Sequence, residues 1–178
     1  MRFGAIVLSA GLIAGSPARA GNAATVASDA AVKAAFLFNF AKFTEWPSLA
    51  AGTPIVACVA GDEDIGAELT STVRGQTIGG HTITVRKPQD SSLWMECQLL
   101  FIGDGESRHF AATGPPFKTQ PILTVSSNKG FSQSGGIIEL YVDQGRMRFV
   151  INLDAAERAK LRLSARLLSL AKVVHDGQ

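Results

Sequence analysis

The chain has no G-x-G-x-x-G turn, no P-loop, no G-x-S-x-G elbow and no C-x-x-C pair. The usual local signatures of nucleotide binding, serine hydrolysis and dithiol redox chemistry are therefore missing. Gly103-Asp104-Gly105 follows an apolar run but lacks the third glycine of a dinucleotide fingerprint, and Gly75, Gly79 and Gly80 precede a strand-like run instead of following one. The three histidines, His81, His109 and His175, are scattered, and Asp62-Glu63-Asp64 lacks the glycine and distal glutamate of a calcium loop. No metal, cofactor or catalytic residue is expected on these grounds. Residues converging from distant positions are the one route left to enzyme chemistry.

Long apolar runs are also missing. Phe3 to Gly15 is uncharged but shorter than the ~20 residues of a membrane span. Arg2 before it and Ser16-Pro17-Ala18-Arg19-Ala20 after it read as a cleaved export signal over residues 1–20, with the small-residue Ala18-x-Ala20 site. No cysteine stands at the cleavage point to carry a lipid. Residues 21–178 would then be one domain, exported to the periplasm. The 17 Lys and Arg residues lose Arg2 and Arg19 with the leader, which leaves them equal in number to the 15 acidic ones. A neutral domain has no electrostatic footprint for nucleic acid or anionic lipid, so neither is expected as a partner.

Only two cysteines are present, Cys58 and Cys97. In an exported chain an even pair reads as a structural disulfide, with two separate buried thiols as the alternative. Such a bridge would close a loop of about 39 residues, for which chain entropy suggests roughly 4 kcal/mol. Cys58 lies late in its strand and Cys97 just before its own, so the spacing alone does not bring them within bridging distance.

What is present reads as alternating helices and strands. Ser28 or Asp29 caps a helix predicted over Ala30–Thr44, ended by Trp46-Pro47. Strands are expected at 54–59, 82–85, 99–102 and 122–125, with a helix of about two turns after Asp62 or Asp64, through Leu69 and Val73. This spacing suggests βαβ units and a mainly parallel sheet flanked by helices. Two further strands, 137–142 and 147–153, flank the turn Asp143-Gln144-Gly145-Arg146 as a C-terminal hairpin. Asp154 is the expected cap of a helix at 155–160, and Ser164 that of a last helix running to Val174.

Aromatics are 7% of the chain, yet Phe36, Phe38, Phe40, Phe43 and Trp46 fall within eleven residues. Val32, Phe36, Phe40 and Phe43 recur at helical spacing and are expected to face the core, with Asn39 beside them. Phe38 points to the other side and is the candidate exposed contact, together with Trp46.

The run Val32-Lys33-Ala34-Ala35-Phe36-Leu37-Phe38-Asn39-Phe40-Ala41-Lys42-Phe43-Thr44-Glu45-Trp46-Pro47 resembles the opening signature of the YfiR family of periplasmic regulators. Gly135-Gly136-Ile137-Ile138, with Met147 to Leu153 including Phe149 and Asn152, is similar to a second signature. The stretch Leu161 to Ala171, including Leu167 and Leu168, resembles a third. The resemblance implies a single-domain Rossmann-like α/β fold without the dinucleotide fingerprint. It also implies a role: binding the periplasmic domain of an inner-membrane diguanylate cyclase and repressing cyclic-di-GMP synthesis and biofilm formation. A homodimer and release by an outer-membrane OmpA-like lipoprotein or by redox stress are further implications. Some members carry a second disulfide, which two cysteines cannot supply here. The rival reading is a periplasmic small-ligand binding protein with its pocket at the strand ends near Gly61, Gly103, Ser126 and Ser127.

Overall fold

A computed structural model describes residues 27–113 and 115–177; the expected export signal, residues 1–20, lies outside them. In chain order the elements are α1 (Asp29–Lys42), β1 (Thr44–Glu45), β2 (Ile55–Ala60), α2 (Glu63–Val73), β3 (Thr77–Ile78), β4 (His81–Arg86), β5 (Leu99–Ile102), α3 (Ser107–Ala112), α4 (Pro115–Lys118), β6 (Leu123–Ser126), β7 (Ile138–Asp143), β8 (Arg146–Asn152), α5 (Leu153–Arg158), β9 (Arg162–Leu163), α6 (Ala165–Leu168) and β10 (Lys172–Val174). Eight strands form one sheet in the order β10-β8-β7-β6-β5-β2-β4-β3, while β1 and β9 make a separate two-stranded ladder. From β4 through β2, β5 and β6 to β7 all pairings are parallel; β8 then returns antiparallel to β7 as the expected hairpin.

β2 and β5 are apolar without alternation because both their faces are covered. Ala57, Val59, Leu99, Phe101, Leu123 and Val125 join one core with α1, α2 and the C-terminal segment. Cys58, Ala60, Leu100 and Ile102 face a second core with Trp94, Phe110, Phe117 and Phe131. The result is a Rossmann-like three-layer arrangement, as the order of helices and strands suggested.

Several boundaries differ from expectation for identifiable reasons. Ser28 caps α1, its side chain accepting from the Ala31 N–H at 3.0 Å. The helix ends at Lys42, ahead of Trp46-Pro47, because Thr44 and Glu45 turn into the ladder with β9. Asp62 caps α2 through the Ile65 N–H. Asn152, not Asp154, caps α5: its Oδ1 accepts from the Ala155 N–H at 2.9 Å, which frees the Asp154 carboxylate for other partners. The expected last helix is a single turn, α6, capped by Ser164, and residues 172–174 leave it to pair with β8 as β10. Two β-branched valines at the end of that run fit a strand edge better than a helix.

Candidate functional site

α1 buries Ala34, Leu37, Phe40 and Ala41. Of the stripe expected to face the core, Phe40 is fully buried, while Phe36 and Phe43 are half-buried and pack against the core from its edge. Small alanines on the buried side let the helix lie close to its neighbours, which turns Val32, Phe36 and Phe43 toward its flank. There they form one wall of an open apolar groove of about 460 Å³; Arg166, Leu167 and Leu170 form the other, and Phe149 of β8 is the floor. Phe149 stands edge-on to Phe40 and Phe36, with centroids 5.0 and 6.0 Å apart.

The two walls are tied together at one end. Thr44 pairs with Leu163 and Glu45 with Arg162, and the Ser164 N–H donates to the Phe43 carbonyl at 3.0 Å. Among the described residues the one charged lining residue is Arg166, whose guanidinium sits 5.6 Å over the Phe43 ring. Asn39 lines the wall as an exposed residue whose side-chain amide donates to the Ala35 carbonyl. Leu170 stands at the rim, 66% exposed. Phe38 is half-buried against the core and lies outside this groove. Trp46 is only 8% exposed, and its indole N–H donates to the Gln98 carbonyl at 3.1 Å, so its ring anchors the α1–β2 connection to the sheet. Pro47, next to it, is exposed.

Cys58 and Cys97 form a disulfide, with Cα atoms 5.9 Å apart. The bridge is possible because β2 pairs with β5 in parallel, Cys58 opposite Leu100, and the 3-10 turn Ser91–Glu96 brings Cys97 back over β2. It lies in the second core, on the sheet face away from the groove.

The glycine pair has separate duties. Gly135 takes φ +90°, and a Cβ on Gly136 would lie 2.1 Å from the Phe131 ring. Asn152 is buried, donates to the Ser132 carbonyl at 2.8 Å and caps α5, so it joins the loop after β6 to the end of the hairpin. Leu167 is buried in the groove wall, and Leu168 packs against the core.

At the strand ends the crevice between β2 and β5 is filled by the chain itself. The Gly103 N–H donates to the Ala60 carbonyl at 2.8 Å, and a Cβ on Gly103 would meet the Gly61 carbonyl oxygen at 2.8 Å. Ser126 spends its hydroxyl on the Ile102 carbonyl. Gly61 and Gly103 are thus used for close backbone approach, and leave no opening between them for a small ligand.

These features define a Rossmann-like α/β protein that carries, among several open cavities, an apolar, aromatic-floored groove. The model of the YfiR/HmsC-like family matches residues 30–172, and the chain belongs to that family, whose members are periplasmic regulators. No curated protein matches the chain.

Proposed function

We propose that the protein is a periplasmic negative regulator that binds the periplasmic domain of an inner-membrane diguanylate cyclase and represses cyclic-di-GMP synthesis and biofilm formation. The observation that carries the proposal is the apolar groove on a member of a regulator family: an exposed Leu170 and half-buried Phe36 and Phe43 around a Phe149 floor suit a protein contact. Contact is assigned to this groove, with Phe38, which lies outside it, as a separate candidate and Trp46 acting from inside by holding α1 in place. Sequestration by an OmpA-like lipoprotein and self-association to a homodimer belong to the same proposal.

Repression of this kind is differential binding. A regulator shifts the cyclase only as far as it prefers the inactive state, and about 3 kcal/mol of preference corresponds to roughly a hundredfold. The test is deletion of the gene in cells whose cyclase genes are intact, followed by measurement of cyclic-di-GMP and biofilm. Both rise on this reading; unchanged levels overturn it.

A further inference from the structure

The family match stops at residue 172, and the chain continues into a short strand fastened by charge. β10 has three residues and, among the described residues, pairs with Val150, Ile151 and Asn152 of β8 alone. An edge strand of this length opens readily, because few buried contacts oppose fraying. Immediately beyond, α5 and its cap grip the next two residues. One Asp154 oxygen is 2.6 Å from His175 Nδ1, and the other accepts the Asp176 N–H at 3.1 Å. The Asp176 carboxylate in turn accepts from Asn152 Nδ2 at 2.9 Å and pairs with the Arg158 guanidinium. The charged groups facing His175 are Asp154 and Glu157 from α5 and Asp176 from the tail itself, all acidic. Arg158 of α5 and Lys118 of α4 face Asp176.

We propose that residues 172–176 form a proton-sensitive latch on the docking groove: His175, when charged, holds the tail on α5 and β10 on β8, and when neutral lets both loosen. The mechanical link is Leu170, which stands at the groove rim on the short connection into β10. The proposal rests on the groove reading above, whose regulation it supplies.

The Asp154 hydrogen bond and charge hold the His175 imidazolium above its ordinary value of 6.5. The attraction is therefore complete below that value and is lost as pH rises through the raised one. Asp154, kept below 3.8 chiefly by the His175 hydrogen bond, holds its charge until pH falls through the lowered value. The latch is closed between these limits and opens on the alkaline side. A neutral imidazole can still donate through Nδ1–H, so what alkali removes is the charge. Exposed ion pairs add little to global stability, but the event opposed here is local fraying, where small terms set the population.

The experiment is amide exchange of the exported chain, read as protection factors for Lys172–Val174 at pH 6 and pH 8.5. Protection is expected to fall roughly twofold to fivefold between the two in the natural chain, the range an exposed pair supports. His175→Gln is expected to show the lower protection at both, and His175→Lys the higher protection at both. A pH-independent β10 in the natural chain, or an unchanged titration in His175→Gln, overturns the latch whatever the cyclase does. If β10 titrates as expected and gene deletion leaves cyclic-di-GMP unchanged, the latch stands and the docking reading falls.

Discussion

Gly136 lies under the Phe131 ring, and that ring is itself packed on Phe110 with centroids 4.6 Å apart. A methyl group there has no flexible neighbour to push aside, so Gly136→Ala is expected to cost about 1–3 kcal/mol by forcing the ring from its site. Gly135→Ala meets only the flexible end of Lys118, at 3.2 Å, and its cost is the positive φ, about 1–2 kcal/mol. Urea unfolding of the two variants measures both costs. Trp46 makes a similar point about side-chain role. Its N–H reaches Gln98, which is also bonded through its backbone to Val56 and Leu123 and through Oε1 to the Val56 N–H. Trp46→Ala is expected to lose about 3–5 kcal/mol as a core truncation. A residue acting only as a surface contact would lose almost none. The sequence showed that aromatics cluster here, but not which would be buried. Ala34 and Ala41 set the buried side of α1 by being small, and hydrophobic spacing gives small residues little weight.

At the scale of elements, the parallel strands β2 and β5 were legible because burial on both faces writes an uninterrupted apolar run, as in Leu99–Ile102, buried throughout. The last element was not. Leu167, Leu168, Leu170, Ala171 and Val174 fit a helical period, yet after the single turn of α6 the chain has the open edge of β8 beside it. Pairing with that edge is a long-range fact that local periodicity does not carry. Asn152 was likewise visible as part of a signature but not as the α5 cap, since Asp154 two residues later is an equally good capping residue type. The disulfide was legible as a pairing, whereas its geometry needed the parallel register of β2 and β5. It closes 39 residues of chain, including α2, β3 and β4. Replacing Cys58 and Cys97 together by Ala is expected to cost about 2–4 kcal/mol in denaturant unfolding. Alkylation of the unreduced natural chain should leave both cysteines unmodified. Because the bridge sits on the face opposite the groove, its loss should lower stability more than it alters partner contact.

At the scale of the whole molecule, the sheet separates two differently packed faces. One face carries the disulfide and the cluster of Trp94, Phe110, Phe117 and Phe131, which is closed and structural. The other carries α1 and the C-terminal segment, joined by the β1–β9 ladder and left open between them over Phe149. The groove therefore depends on two segments more than a hundred positions apart, and only the fold shows that they share a surface. This division gives a prediction that separates contact from folding. Leu170 is 66% exposed, so Leu170→Asp removes no core packing and should change stability by no more than about 0.5 kcal/mol. It does place a carboxylate at the rim of an apolar surface, where a docked partner would have to desolvate it without a compensating hydrogen bond. Arg166→Glu reverses a charge that lines the groove and, like Leu170→Asp, lies on the exposed side of its wall. Together the two substitutions should reproduce the gene deletion, raising cyclic-di-GMP and biofilm, while the melting temperature of the purified variant stays close to that of the natural chain. Full repression by a folded double variant would remove the groove from the contact surface and return attention to the Phe38 side of α1.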